Sequence, residues 1–346
     1  MNTNFDPAKA SGLEKLHFEM SRQHQDALDS FRQATPVAKE IAQSLKTAPR
    51  LLLLGMGASH WANRIVEPIF RKASIDATAQ PVSEYLRAPL PRGGRTVLLT
   101  SQSGESGEII KFLDEMHTPG RTFGLTLNPK SALGNRVPSL IGAGGMEVGF
   151  AATRSLLVTL ALHAAVLREL GITQDELEKV LSNPVPVECP DPAAKDAEKE
   201  IASSSCVVFS SRNIMQGVAD AGALCLMELA RIPAFSLEGG QFLHGPCEML
   251  KPGIGIVLFR PVEDTSNSIR RIAETCVGAG LKPVVFDLTN KDDLRGCIRI
   301  PLPGYRGLAG AAAALVTAQS VLVKTASVMV PDVGCPVRSN KVTNGE

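Results

Sequence analysis

Hydroxyl side chains cluster at one point of this sequence, in the stretch LLTSQSGESGEII at residues 98–110. An apolar run ends there and a helix-like pattern follows, so the cluster lies where a strand gives way to a helix. The free N–H groups of a helix N-terminus, its dipole and nearby hydroxyl donors bind an anion without needing a cation. The stretch therefore indicates a phosphate site, with helix capping and turn formation as the alternative. Its candidate donors are Ser101, Gln102, Ser103 and Ser106.

A second loop, GMGASH at residues 55–60, follows the apolar run RLLLLG. Its Gly-x-Gly pattern lacks the third glycine of a dinucleotide-binding loop, because position 60 is His60, and the sequence has no G-x-x-x-x-G-K-[ST] motif. A tight turn with Ser59 at a helix start remains. Two such loops at neighbouring strand ends favour a phosphate ligand, so we expect Ser59 to join the other donors.

Three residues far from these loops in the sequence could move protons or bind a carbonyl group. Glu228 lies in the apolar stretch GALCLMELARI, where burial would raise its pKa for proton transfer; the alternative is a surface pair with Arg231. His244 lies in a Gly/Pro turn and titrates near neutrality, although a lone loop histidine is usually structural. Lys341 lies in a polar terminal stretch, either solvated or folded over the site as an amine.

Few other side chains are candidates for ligand or metal binding. Glu238 is a loop acid near His244, for which the sequence leaves two alternatives, binding of a hydroxyl or amine and simple turn formation. The other histidines have no metal-ligand spacing, so we predict no metal and no cofactor. They are His17, His24, His60, His117 and His163.

These residues need a scaffold of alternating strands and helices. The chain has 346 residues, 44% of them hydrophobic, which suffices for two domains. Both halves show the order strand, helix, strand, helix, strand, strand, helix, which predicts an α/β fold of parallel sheets flanked by helices. The predicted strands are 50–55, 96–100, 122–128 and 138–144 in the first half, which ends with a long helix at 153–170, and 205–210, 253–259, 282–288 and 296–304 in the second half. In such sheets ligands bind outside the carboxyl ends of the strands, where the hydroxyl loops lie.

The predicted organisation has five segments. They are an N-terminal helical segment (1–46), a first domain with the phosphate site (47–181), a proline-rich linker (182–195), a second domain (196–330) and a tail that closes the site (331–346). The matching loops of the second half lack the serine cluster, so we expect one phosphate site per chain.

Composition excludes several classes of partner. Thirty-six basic and 35 acidic residues give a net charge of +1, which gives no electrostatic reason to expect binding to nucleic acid or to an anionic membrane. Seven scattered cysteines without a C-x-x-C pair, and no apolar signal region, indicate a cytoplasmic protein. The apolar stretch 307–330 carries Thr317, Gln319 and Lys324, so we expect a helix buried in protein rather than a membrane span.

Several stretches resemble the sugar-isomerase (SIS) family of phosphosugar isomerases. Those that resemble its first domain are LLLLGMGAS, LLTSQSGES and EVGFAATRS. Those that resemble the second domain and tail of its double-domain members are ALCLMELARIPAFSLEGGQFLHGP and PVRSNKVTNGE. These members include the isomerase part of glucosamine-6-phosphate synthase, SIS-type glucosamine-6-phosphate deaminases, Amadori-sugar deglycases and ketose/aldose isomerases. The resemblance implies two tandem SIS domains, each a flavodoxin-like three-layer sandwich.

The resemblance also implies roles at matching positions. The five hydroxyl and amide donors named above would hold a sugar phosphate, and Glu228, His244 and Lys341 would surround the carbonyl end of the sugar. It further implies a homodimer in which His244 serves its own site or the neighbour's. Candidate sugar contacts are Gly57, Ala152 and Glu238.

The sequence departs from the family pattern at two positions and in one segment. Cys225 stands where synthases have a lysine, and Ala152 replaces a common serine, which puts one sugar contact in doubt. Segment 1–46 is too short for a glutamine-hydrolysing domain, so we expect no glutamine-dependent amino transfer.

The sequence as a whole predicts an enzyme that isomerises a hexose 6-phosphate by C1–C2 proton transfer, with ammonia release if the substrate is an aminosugar. The alternatives are a deglycase of a phosphorylated Amadori sugar–amine adduct and a sugar-phosphate-binding regulator without catalysis. Retention of Glu228, His244 and Lys341 favours an enzyme. The sequence does not identify the sugar.

Overall fold

The computed structural model describes residues 5–33, 36–91, 93–116, 121–263 and 265–341. His117 and the last five residues of the predicted tail lie outside these ranges. The described residues form two five-stranded parallel sheets flanked by helices, which confirms the predicted α/β class.

The chain divides into two compact units, each made of two chain segments. The first-sheet unit combines Arg22–Asn183 with Pro336–Glu346, and the second-sheet unit combines Met1–Ser21 with Pro184–Cys335. This division groups the beginning of the chain with the second sheet and its end with the first. The five predicted segments remain a prediction.

The first-sheet unit contains five parallel strands in the order β2-β1-β3-β4-β5. They are β1 (Arg50–Gly55), β2 (Asp76–Pro81), β3 (Thr96–Thr100), β4 (Thr122–Thr126) and β5 (Ser139–Ile141). The strand order reverses between β1 and β3, where Gly55 is the register partner of Thr100. The loops that follow β1 and β3 therefore leave the sheet side by side at its carboxyl edge, where ligands of such sheets bind.

Helices of the first-sheet unit cover its sheet, whose strands β1, β3 and β4 are almost wholly buried. They are α1 (Gly12–Arg32), which belongs to this unit from Arg22 onward, α2 (Pro36–Thr47), α3 (Gly57–Lys72), α4 (Val82–Arg87), α5 (Gly107–Glu115), α6 (Ala132–Arg136), α7 (Arg154–Glu169) and α8 (Asp175–Ser182). The helical segment predicted before β1 is two helices, because Pro36 occupies the first position of α2, where a missing N–H costs nothing.

The second-sheet unit has the strand order β10-β9-β8-β6-β7. Its strands are β6 (Cys206–Ser211), β7 (Ala234–Glu238), β8 (Ile254–Arg260), β9 (Val284–Asp287) and β10 (Ile298–Pro301). Its helices are α9 (Ala193–Ala202), α10 (Ile214–Ala230), α11 (Gly239–Leu243), a 3₁₀ helix (Pro246–Met249), α12 (Ser266–Gly278) and α13 (Gly307–Met329).

The helix α13 is long and apolar enough to cross a membrane, the one such helix in the described residues. Within the unit, however, 89% of its most apolar window is buried. This burial confirms the expectation that the stretch is a core helix.

The strand pattern predicted from sequence omitted β2 and β7. Both are edge strands, and their residues are mostly half-buried or exposed. An edge strand packs on fewer neighbours and so carries no apolar run, which is the signal that located the central strands.

A buried polar cluster joins α3, β3 and α7 in the first-sheet unit. Asn63 Oδ1 accepts a hydrogen bond from Thr100 Oγ1 at 2.9 Å and lies 3.2 Å from His163 Nε2. Because the Asn63 oxygen can only accept, His163 Nε2 carries the proton. Burial lowers the pKa of His163 from 6.5 to about 3, so the ring is neutral in the folded protein at pH 7.

The neutral state of His163 makes folding pH-dependent. The unfolded chain takes up a proton here below pH 6.5 while the folded chain stays neutral down to about pH 3, so stability is lost as pH falls through this window. We expect His163→Gln, which keeps a donor toward Asn63, to remove about 2 kcal/mol of the fall in unfolding free energy between pH 7 and pH 5. Chemical denaturation at both pH values measures this.

His60 also titrates in this range, since burial and Arg64 lower its pKa to about 4, so the variant keeps part of the pH dependence. A pH dependence equal to that of the native chain would contradict the assignment to His163.

Candidate active site

The loop between β3 and α5, residues 101–106, is the hydroxyl loop. Ser101 Oγ lies 3.2 Å from Ser106 Oγ and accepts a hydrogen bond from the backbone N–H of Gly104 at 3.1 Å. Ser103 is buried, and its Oγ accepts from Glu105 N at 3.2 Å. Within the described chain, the Ser106 side chain makes no capping bond although the residue is the N-cap of α5. The Ser106 hydroxyl is thus oriented toward Ser101 rather than used to cap the helix.

Gln102 supplies a buried donor at the same place. Its backbone carbonyl accepts from Leu127 N and Thr126 Oγ1, both at 3.0 Å, which fixes the loop against β4. Its side-chain Nε2 is buried, and no group in the described residues accepts from it. An unsatisfied buried amide donor costs about 1–3 kcal/mol, so this position suits a ligand oxygen or an ordered water.

The hydroxyl loop is braced by the beginning of α6. Leu133 N donates to the carbonyl of Gly104 at 3.1 Å, and Ala132 N donates to Glu105 Oε1 at 2.9 Å. Gly104 has φ +68°, and a Cβ added there would lie 2.1 Å from Ser131 Oγ and 2.6 Å from Ser131 Cβ. Only glycine fits this position, which sets the distance between the hydroxyl loop and α6.

Ser59 approaches from the neighbouring loop. The helix α3 begins at Gly57, which has φ +50°, so Ser59 lies in the first helical turn. Because Gly55 and Thr100 are register partners, this turn and the hydroxyl loop start at adjacent strand ends. The structure thus places the five sequence-predicted phosphate donors at one edge of one sheet. Gly57, a candidate sugar contact, is exposed there.

Lys341 contacts the loop between β5 and α7, which starts at the same carboxyl edge. Its Nζ donates to the carbonyl of Gly149, to that of Phe150 at 3.2 Å, and to Glu147 Oε2 at 3.4 Å. The side chain is 24% exposed. Protein acceptors therefore hold its ammonium group. Ala152, another candidate sugar contact, is half-buried in this loop.

Glu147 is a functional candidate that the sequence reasoning missed. Its side chain is fully buried, and it accepts hydrogen bonds from Thr153 N and Oγ1 at 2.9 Å each and from Ser155 Oγ at 2.5 Å. Burial opposes its ionisation, but Lys341 and these donors outweigh it, so the pKa of Glu147 is lowered. The sequence feature that could have identified Glu147 is a single acidic residue in a stretch of small and apolar residues, followed by Thr153 and Ser155.

The remaining predicted residues belong to the second-sheet unit. Glu228 is half-buried, not buried as expected, because Leu224, Met227 and Glu228 form the helical face of α10 that is least covered. Arg231, its alternative partner, binds Asp332 at 2.9 Å.

His244 and Glu238 flank α11. His244 is exposed at the end of this helix. Glu238 caps the beginning, accepting from Gly240 N at 2.9 Å and Gln241 N at 3.0 Å, and pairs with Arg212. This geometry favours the turn-forming alternative for Glu238.

The matching strand end of the second sheet carries different chemistry. Arg260 ends β8, is fully buried, and binds both carboxylate oxygens of Asp293, at 2.5 and 2.9 Å. Asp287 lies 3.7 Å away on the neighbouring β9. The chain's own carboxylates thus pair with the Arg260 guanidinium at this edge, and one phosphate site per chain remains a prediction.

The role of Gly104 predicts a specific cost of substitution. Gly104→Ala should lower the unfolding free energy by about 2 kcal/mol more than Gly171→Ala, which has φ +88° but open space around its Cβ. Both substitutions introduce a left-handed alanine, so their difference isolates the overlap with Ser131. Chemical denaturation of the two variants measures this difference. Equal losses of unfolding free energy would contradict the prediction, because they would show that the hydroxyl loop shifts to accommodate the added methyl group.

The chain matches no protein-family model. It is 24% identical over 259 residues to the isomerising glutamine–fructose-6-phosphate aminotransferase of Sulfurisphaera tokodaii, an alignment that covers 73% of this chain and 43% of that protein. The chain thus spans less than half the length of such relatives.

Two solved structures match nearly the whole chain. Tagatose-6-phosphate ketose/aldose isomerase from Escherichia coli has a TM-score of 0.79 and 18% identity, covering 97% of this chain and 99% of that one. Glucosamine-6-phosphate deaminase from Thermotoga maritima has a TM-score of 0.72 and 18% identity, covering 95% and 99%. This chain therefore shares its fold with phosphosugar isomerases and is similar in sequence to isomerising aminotransferases.

Proposed function

We propose that this chain is a phosphosugar isomerase or aminosugar-phosphate deaminase that acts on a hexose 6-phosphate by C1–C2 proton transfer. The observation that carries the proposal is the hydroxyl loop at the strand-order reversal, which contains three serine hydroxyls and the buried Gln102 Nε2, for which the described residues offer no acceptor. The fold and the names of the similar proteins support the same substrate class.

A phosphate monoester suits this loop chemically. It offers three terminal oxygens, each of which accepts more than one hydrogen bond, and the loop supplies hydroxyl and amide donors together with the N-terminus of α5. Neutral donors fixed by backbone contacts hold a dianion without a competing cation. The phosphate would thereby anchor one end of the sugar and leave the other end free to react.

The proton transfer is assigned to three residues. Glu228 moves a proton between C1 and C2 through an enediol or enediolamine, His244 assists ring opening, and Lys341 stabilises charge at the carbonyl end. With a 2-amino sugar, the same shift gives an imine that water hydrolyses to ammonia and a ketose. Glu228 is half-buried on the least covered face of α10.

Two further statements belong to the proposal. We assign the chain to a cytoplasmic homodimer, in which His244 acts in its own site or in the neighbour's. Gly57 and Ala152 are assigned as backbone sugar contacts, while Glu238 acts as a helix cap that shapes the turn before His244.

Phosphate recognition predicts a selective loss in Ser106→Ala. The Ser106 hydroxyl makes no capping bond in the described structure and contacts Ser101 Oγ at 3.2 Å, so its removal should cost about 1 kcal/mol of stability or less while weakening binding of fructose 6-phosphate about tenfold or more. Titration calorimetry with fructose 6-phosphate and with fructose measures this. Ser203→Ala, an exposed serine of the other unit, is the control. Equal affinity for the two sugars, or an unchanged Ser106→Ala variant, would contradict the site.

Catalysis predicts solvent exchange at the sugar. In D₂O, the native protein should place deuterium at C1 or C2 of a hexose phosphate, and with glucosamine 6-phosphate it should release ammonia and fructose 6-phosphate. Glu228→Gln should slow exchange about 100-fold or more, because it removes the proton carrier. Glu248→Gln, an exposed acid of the same unit, should keep full activity. Sugar-phosphate binding without any exchange would favour the regulator.

A further inference from the structure

The carboxylate of Glu147 has no part in the proposed proton transfer, yet it holds the lysine that does. We propose that Glu147 is a positioning residue, which anchors the terminal segment (residues 336–341) to the β5–α7 loop through Lys341 and fixes where the amine stands before a sugar binds. The anchoring is independent of the proposed reaction, and only its effect on turnover rests on the proposed function.

The carboxylate is itself firmly placed. Glu147 accepts from Thr153 N, and Ser155 N lies 3.5 Å from the same oxygen, so the carboxylate meets the first backbone N–H groups of α7. The dipole of this 16-residue helix stabilises an anion at that point. The Thr153 and Ser155 hydroxyls complete its shell, which leaves Oε2 as the oxygen that also faces Lys341.

The loop before Glu147 is held just as firmly. Arg154 is fully buried and donates to the carbonyls of Ala143 at 3.1 Å and Gly145 at 2.8 Å. Arg22 donates to the carbonyl of Gly144 at 2.8 Å, and Asp26 forms ion pairs with both arginines, 2.8 Å from Arg22 and 3.2 Å from Arg154. The Glu147 side of the contact is thus part of the scaffold, so it dictates the place of the amine.

The hydrogen bonds of the Lys341 ammonium group indicate which role its amine can take in the reaction. An ammonium group has three N–H bonds, and here three acceptors use them: Glu147 Oε2 and the carbonyls of Gly149 and Phe150. To contact a sugar oxygen, the amine must exchange one carbonyl acceptor for it, while Glu147 keeps the charge balanced. A fully engaged ammonium has no lone pair to attack a carbonyl, so the pairing favours electrostatic stabilisation over a Schiff base.

Hydrogen exchange of the native chain tests the anchoring directly. Glu147→Gln should make the backbone amides of residues 337–341 exchange about tenfold faster, because the charge that holds Lys341 is lost. Lys341→Met should do the same without altering the buried carboxylate, and the double variant should add little beyond either single one. Glu178→Gln removes a surface pair with Arg32 in the same unit and should leave the exchange unchanged. Unchanged exchange in Glu147→Gln, or fully additive effects, would overturn the proposal.

Turnover separates positioning from a merely structural role. Glu147→Gln should lower kcat about tenfold and leave the affinity for fructose 6-phosphate unchanged, the reverse of Ser106→Ala. A loss of phosphate affinity in Glu147→Gln would instead show general damage to the unit and overturn the positioning role. If the native chain turns over no sugar phosphate, the proposed function fails while the exchange experiment still decides the anchoring.

Discussion

The pairing of β1 with β3 is the constraint on which the candidate site depends. Parallel strands deliver all their carboxyl ends to one edge, and the reversal of strand order at this pair separates the two following helices and opens a crevice between them. Gly55 opposite Thr100 fixes the register, so a slip of one residue would displace Ser59 from the hydroxyl loop and turn the apolar strand residues out of the core. The apolar runs that hold the sheet together therefore also set the geometry of the donors.

Sequence predicted best where burial is complete. The central strands β1, β3 and β4 and the helix α7 are mostly apolar and almost wholly buried, and each was expected within a few residues of its bounds. Edge strands β2 and β7 carry mixed residues because one side lacks a partner, so they had no pattern to find. Burial was overestimated for Glu228, because the apolar helix α10 still leaves one face uncovered and this residue lies on it.

The candidate phosphate donors could be named from the sequence, whereas the pairing of Glu147 with Lys341 could not. Serines next to a strand end are visible along the chain, whereas the contact between Glu147 and Lys341 joins residues 194 positions apart. The burial of Glu147 also depends on the N-terminus of α7 and on the hydroxyls of Thr153 and Ser155, which donate to its carboxylate. Residue spacing in the sequence does not reveal these contacts. Whether a charged side chain is buried depends on the contacts of the folded loop, so the local sequence gives little indication of it.

The discontinuity of the first-sheet unit has a consequence for how the protein is made. Its sheet is encoded by residue 141, but the contact of Lys341 with the β5–α7 loop needs a segment that leaves the ribosome some two hundred residues later. Domains fold as units during synthesis, so the sheet and its hydroxyl loop can form while the second-sheet unit is still being translated. The Lys341 amine is made after both sheets, so a chain that stalls late in translation would carry the hydroxyl loop without the lysine that contacts the β5–α7 loop.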